Sequence, residues 1–146
     1  SEKGNVLIQK RSTKKKLNPG VWDVSVAGHI GYKEDIKSAA IRETFEETGI
    51  HIKEKDLLKL GIYTSESSHS KIIDREFHHT YILKIDEVKI NLNYKNDEVD
   101  DLKLISLMEM DLLLNQNNRD IFIGKNKNYY KDVFEAILKI TKENYQ

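Results

Sequence analysis

The chain of 146 residues has no cysteine, a single proline and a formal net charge of zero. Each of these absences removes a class of function. Without cysteine there is no disulfide scaffold, no thiolate metal site and no cysteine nucleophile, and the composition is compatible with a cytoplasmic protein. The balance of 24 basic against 24 acidic residues gives no whole-molecule attraction to nucleic acid or to an anionic membrane, so neither is an expected partner. Any charge-based function has to be local. No apolar run approaches the length of a membrane span, and the polar start SEKGN does not read as a signal peptide. What remains is 38% hydrophobic residues with no low-complexity linker, the composition of one globular domain over residues 1–146.

Strand and helix patterns alternate along the chain. NVLIQKR (5–11) and VWDVSVA (21–27) read as strands; in the second, Val21, Asp23 and Ser25 share one face and Trp22, Val24 and Val26 the other. STKKKLNPG between them is a loop that ends on the only proline and a glycine. The segment from Ile36 to Thr48 has the pattern of a helix, with Asp35 as N-cap and Gly49 as its stop. LLKLGIYTS (57–65), EFHHTYILKI (76–85) and DLKLISL (101–107) are further strands, and SESSHSKIID joins the first two of these as an exposed loop. Ser106 and Glu109 form a capping box opening a short helix, and Val133, Ile137 and Ile140 recur at helical spacing in a last amphipathic helix. Interleaved elements of this kind predict an α/β fold with a mixed sheet between helices.

One short stretch carries chemistry. On a helix, Glu43, Glu46 and Glu47 project from one face, and three carboxylates so close repel one another. Hard divalent cations such as Mg²⁺ or Mn²⁺ prefer carboxylate oxygens and turn that repulsion into a binding site. The bland reading is a solvated acidic surface. Ile41, Phe45 and Thr48 supply the opposite, apolar side expected to bury against the sheet, and Arg42 can reach Glu46 at i,i+4 to orient it.

The letters around the triplet favour the metal reading. Gly28, five residues, Glu34, seven residues, Arg42-Glu43, two residues, Glu46-Glu47, one residue, Gly49 and then the aliphatic Ile50 together resemble the Nudix box, the signature of the Nudix hydrolases. At about 7% usage per letter, seven fixed letters at fixed spacing arise by chance at roughly 10⁻⁸ per start position, which rules out coincidence. Thr44 departs from the family, where that slot is usually apolar. The flanking PGVWDVSVAGH, NVLIQKR, EFHHTYIL and NDEVDDLKLISLMEM resemble the branch that contains isopentenyl-diphosphate isomerase.

The resemblance implies a Nudix-type α/β/α sandwich and hydrolysis of a small diphosphate, typically a nucleoside diphosphate linked to another group X. It implies Glu43, Glu46 and Glu47 as ligands of Mg²⁺ or Mn²⁺, with a backbone carbonyl near Ala27 or Gly28 completing the site and Glu34 and Arg42 orienting the ligands. Gly28, Glu34 and Gly49 are the structural positions of the box. A general base comes from a box glutamate or a later loop, which makes Glu98 the candidate, with Asp97 and Glu76 behind it; otherwise Glu98 is an ordinary turn residue in KNDEVDD. Strand material normally precedes the position where this chain starts, so the resemblance implies an incomplete N-terminus and leaves the first sheet edge open, a place where a homodimer interface would fit.

Isomerase activity in similar proteins needs a cysteine two residues before a metal-binding histidine, and a later pair of glutamates. Here His29 matches the histidine, but Ala27 stands at the cysteine position and the pair corresponds to Glu76 and His78. Both proton-transfer groups are incomplete, so the isomerase reading is disfavoured. Further candidate substrate contacts are Arg11, His29, Glu76 and His78, Arg11 because it ends a strand leading toward the expected cleft; His29 has the simpler reading of a hydrogen-bond partner that stabilises its loop. Lys10 and the run Lys14, Lys15 and Lys16 have the simpler reading of a solvated basic loop. Trp22, Tyr32, Tyr63 and Phe77 could stack on a base, although aromatics on strands are usually core, and His78 and His79 must point to opposite faces.

Overall fold

The computed structural model of the chain describes residues 1–69, 71–115, 122 and 127–143. Three strands, β1 (Val6–Arg11), β2 (Trp22–Val24) and β5 (Val99–Ile105), form an antiparallel sheet in the order β2-β1-β5. Strands β3 (Leu57–His69) and β4 (Ile72–Leu83) form a second, two-stranded sheet. Helix α1 (Ile36–Thr48) falls between β2 and β3, and α2 (Leu107–Asn115) and α3 (Lys127–Glu143) follow β5. The α/β class holds. The strand pairs among the described residues are antiparallel, and the parallel component is a single bridge between Trp22 and Phe122. No helix among the described residues is long and apolar enough to cross a membrane.

Alternation along β1 sends neighbouring side chains to two different cores. Ile8 joins Ile105, Met110, Phe122 and Tyr130, which brings α2 and α3 against the sheet. Leu7 joins Ile50, Val99 and Leu102 in the other cluster, beside the chain that leaves α1. The sheet is thus covered from both faces.

Local signals in the sequence account for the element ends. Asp35 caps α1 by accepting from Ser38 N at 3.1 Å, and Gly49 ends it in the left-handed region at φ 72°, its N–H bonded to Phe45 O. The capping box of α2 is reciprocal: Ser106 Oγ accepts from Glu109 N, and Glu109 Oε2 accepts from Ser106 N.

Several expectations are corrected. SESSHSKIID is not a loop: β3 continues to His69 and β4 begins at Ile72, with Ser65 opposite Glu76 and Ser68 opposite Ile73. Unbroken backbone pairing decides the state there, and the small polar residues that suggested a loop sit in the ladder. The strand expected over 21–27 keeps its pairing with β1 only at Trp22–Val24. Phe77 is exposed rather than core, as is Tyr32 in its loop. The buried side of α1 is only partly the one expected: Thr48 is buried as expected, together with Ala39, Thr44 and Glu47, whereas Phe45 is exposed and stacks on His51. The helix is rolled so that Glu47 faces β1. Thr44 fits the apolar slot because its hydroxyl donates to Ala40 O at 2.6 Å and so is satisfied inside the helix.

Candidate functional site

The site forms where α1 meets β1 and the turn before β5. Carboxylate oxygens of Glu43, Glu47 and Glu98 lie within 4.8 Å of one another. Two of the three come from one helix, and the third arrives from a segment far along the chain.

Glu47 is the deepest of them, 3% exposed. Gln9 Nε2 donates to its Oε1 at 3.0 Å and the Ala27 N–H donates to its Oε2 at 3.1 Å, so both oxygens are aimed by the sheet side of the site. Burial pushes its pKa up to about 8, with the charges of Glu43 and Glu98 adding to the effect and the two hydrogen bonds opposing it. A group in that state gains from a cation.

Glu98 is set by Asn96. The Asn96 Oδ1 accepts from the N–H groups of Glu98 (2.8 Å) and Val99 (2.9 Å), while its Nδ2 donates to Glu46 O at the end of α1. Tyr94 adds a hydroxyl bond to the same carbonyl at 3.0 Å, and its ring lies where a Cβ on Gly49 would stand, 2.8 Å from that position. The turn and the helix end are therefore one unit. Lys15 Nζ lies 3.3 Å from Glu98 Oε2, and its neighbour Lys14 reaches the exposed Asp97.

Arg42 organises the outer rim. It makes a two-bond fork to Glu34 at 2.7 and 2.9 Å, and it donates to Glu43 Oε1 and Glu46 Oε2, both at 3.0 Å, and to His29 O at 3.1 Å. The guanidinium, together with the Gly31 N–H, holds the Glu34 carboxyl down at about 2. The expected Arg42–Glu46 pair is present, but Glu46 points to the rim and is not one of the three converging carboxylates. At Gly28, an added Cβ would sit 2.1 Å from the Glu43 carboxyl carbon, so the glycine leaves the space that this carboxylate fills.

The other candidates lie further out. Glu76 lies between two imidazoles, 3.8 Å from His29 and 3.6 Å from His78. Arg11 borders the same cleft as Glu43 and donates to Leu17 O at 3.1 Å. That cleft, of about 1160 Å³, also takes in Ala27, Gly28, His29, Glu76 and His78.

Sequence reasoning missed Gln9, Asn96 and Tyr94. Gln9 falls on the same face of β1 as the apolar Leu7, which was the available signal for it; the other two had none, since their role depends on a contact between distant segments.

The family model for the NUDIX domain matches residues 1–123. An uncharacterised Nudix hydrolase of Clostridium acetobutylicum is 33% identical over 91% of this chain and 76% of its own length. An isopentenyl-diphosphate Delta-isomerase of Photorhabdus laumondii is 35% identical over 82% of this chain and 64% of its own length. A crystal structure of a MutT NUDIX hydrolase from Burkholderia pseudomallei is similar with a TM-score of 0.48 and 19% identity, over 72% of this chain and 75% of that one.

Proposed function

The chain belongs to the Nudix family, and from that premise we propose that it is a Mg²⁺-dependent pyrophosphohydrolase, a single domain that cleaves a nucleoside diphosphate linked to X or a similar small diphosphate. The observation that carries this reading is the convergence of Glu43, Glu47 and Glu98. An all-carboxylate donor set suits a hard divalent ion, and the partly buried position would hold the ligands still. The backbone carbonyl of Ala27 or Gly28 would complete the set. Glu46, whose Oε2 is bonded to Arg42, would take part by turning its other oxygen inward.

A divalent ion bound there would neutralise the diphosphate and acidify an attacking water. The protein's own part is orientation and proton transfer. Gln9 and the Ala27 N–H fix Glu47, while Arg42, itself anchored on Glu34, fixes Glu43. Glu98, half exposed and the least buried of the three, is the carboxylate best suited to accept the proton of the water. Arg11, His29, Glu76 and His78 surround the remaining space as substrate contacts.

Isomerase relatives do not change the reading for this chain. With no cysteine anywhere and histidine at position 78, it lacks the paired agents for protonating and deprotonating an alkene. The lack of cysteine also suits a cytoplasmic enzyme. The test is phosphate release from a panel of diphosphates with Mg²⁺, comparing the parent with Glu47→Gln. Turnover by the parent and its loss in the variant are expected. A folded parent that binds a nucleotide and cleaves nothing would instead make the protein a binding or regulatory module.

A further inference from the structure

Beyond the carboxylate cluster, the cleft contains a second polar feature with no role in the chemistry above. Asp23, on β2, is only 5% exposed, yet it borders the same cleft as Glu43. It pairs across the sheet with Gln9, so one cross-strand step, about 5 Å between Cβ atoms, separates it from the residue that holds Glu47.

The hydrogen bonding of Asp23 is one-sided. Tyr130 Oη donates to Oδ1 at 2.9 Å and the Val24 N–H donates to the same oxygen at 2.7 Å. Among the described residues no hydrogen bond reaches Oδ2. Nor is Oδ2 sealed inside protein without a partner, because no buried side-chain oxygen or nitrogen among the described residues lacks one. Oδ2 therefore keeps some access to solvent, and Asp23 borders the cleft. Burial raises the pKa of this carboxyl, and the hydrogen bonds from Val24 and Tyr130 act against that rise.

A largely buried carboxylate that leaves one oxygen unpaired is poorly hydrated, and a donor on a ligand improves on that state. Such a site rejects ligands that bring no donor. We propose that Asp23, held by Tyr130, is a specificity-determining residue whose carboxylate takes a hydroxyl or amino donor on the group X, so that the enzyme selects polar, donor-bearing X over hydrocarbon X. The proposal rests on the pyrophosphohydrolase reading for where the diphosphate lies.

The experiment compares parent, Asp23→Asn and Tyr130→Phe with two probes, UDP-glucose and geranyl diphosphate, in Mg²⁺. The readout is the ratio of kcat/KM between the probes, with dissociation constants measured in parallel with Ca²⁺ as the ion. The parent is expected to favour UDP-glucose, and Asp23→Asn to lower that preference by about 10- to 100-fold, mainly through KM. Tyr130→Phe, which keeps the ring and frees the carboxylate to turn, should lower it less. Thermal unfolding reports whether each variant is folded; if Asp23→Asn is not, Tyr130→Phe alone decides. A parent that binds UDP-glucose without cleaving it ends the hydrolase reading, and the ratio of dissociation constants then decides the role of Asp23. A ratio unchanged in folded variants, a parent that prefers geranyl diphosphate, or no binding of UDP-glucose overturns the proposal.

Discussion

The glutamates on and around helix α1 fall into two groups. On the rim, Glu34 and Glu46 are matched by Arg42, a cation that the protein supplies itself. In the interior, Glu47 faces Glu43 and Glu98 with only an amide and a backbone N–H as direct partners. The first arrangement is complete as it stands. The second carries an electrostatic cost that burial enlarges, and it makes sense as a place held for an ion. Glu43 joins the two regions, bonded to Arg42 on one side and converging with Glu47 and Glu98 on the other.

The largest expected effect comes from the interior. Glu47→Gln keeps the shape and removes a charge, so turnover should fall by about three orders of magnitude or more while the melting temperature of the ion-free protein stays level or rises. A drop of less than tenfold in kcat would erase the distinction between the two regions. At the junction, Gly28→Ala puts a methyl group where the Glu43 carboxyl lies, and a displaced ligand should cost about 10²-fold in kcat/KM with helix content by circular dichroism unchanged.

Asn96 tests whether the third carboxylate depends on its mooring. Asn96→Ala leaves the N–H groups of Glu98 and Val99 without their acceptor, and should reduce kcat by about tenfold and stability by about 1–2 kcal/mol in urea titrations. Asn96→Asp keeps the acceptor but sets a negative charge against Glu46 O at the C-terminal end of α1, so it should recover little of the stability.

The rim gives the smallest effect and a distinct pH signature. Because the Glu34 pKa is held below its ordinary 4.5, at about 2, its stabilising contribution is present above 4.5 and is lost as pH falls through about 2. Unfolding of the parent and Glu34→Gln should differ by a small constant amount at neutral pH, and that difference should vanish toward pH 2. A difference that grows on acidification would mean the ion pair is not its source. Glu34 is solvent-screened, so the effect should shrink in high salt.

Much of this arrangement could be read in the sequence because it is local. The cap at Asp35, the stop at Gly49, the Ser106 and Glu109 box and the pairing of Arg42 with Glu46 all depend on residues within a few positions of one another. The convergence of Glu98 was anticipated only through family resemblance. Which side of α1 is buried was partly misread, since Ile41 and Phe45 look like the apolar stripe and the true contact is made through Glu47 and two threonines whose hydroxyls bond back into the helix. The loop expected between β3 and β4 failed for a related reason: strand pairing across a hairpin overrides the preferences of serines.

The asparagine that ties residue 96 to residue 46 also bears on how the protein matures. Its two anchoring points are 50 positions apart, so loop closure must precede assembly of the complete ligand set. Manganese affinity would therefore serve as a late clock in refolding, rising after helical signal has already returned.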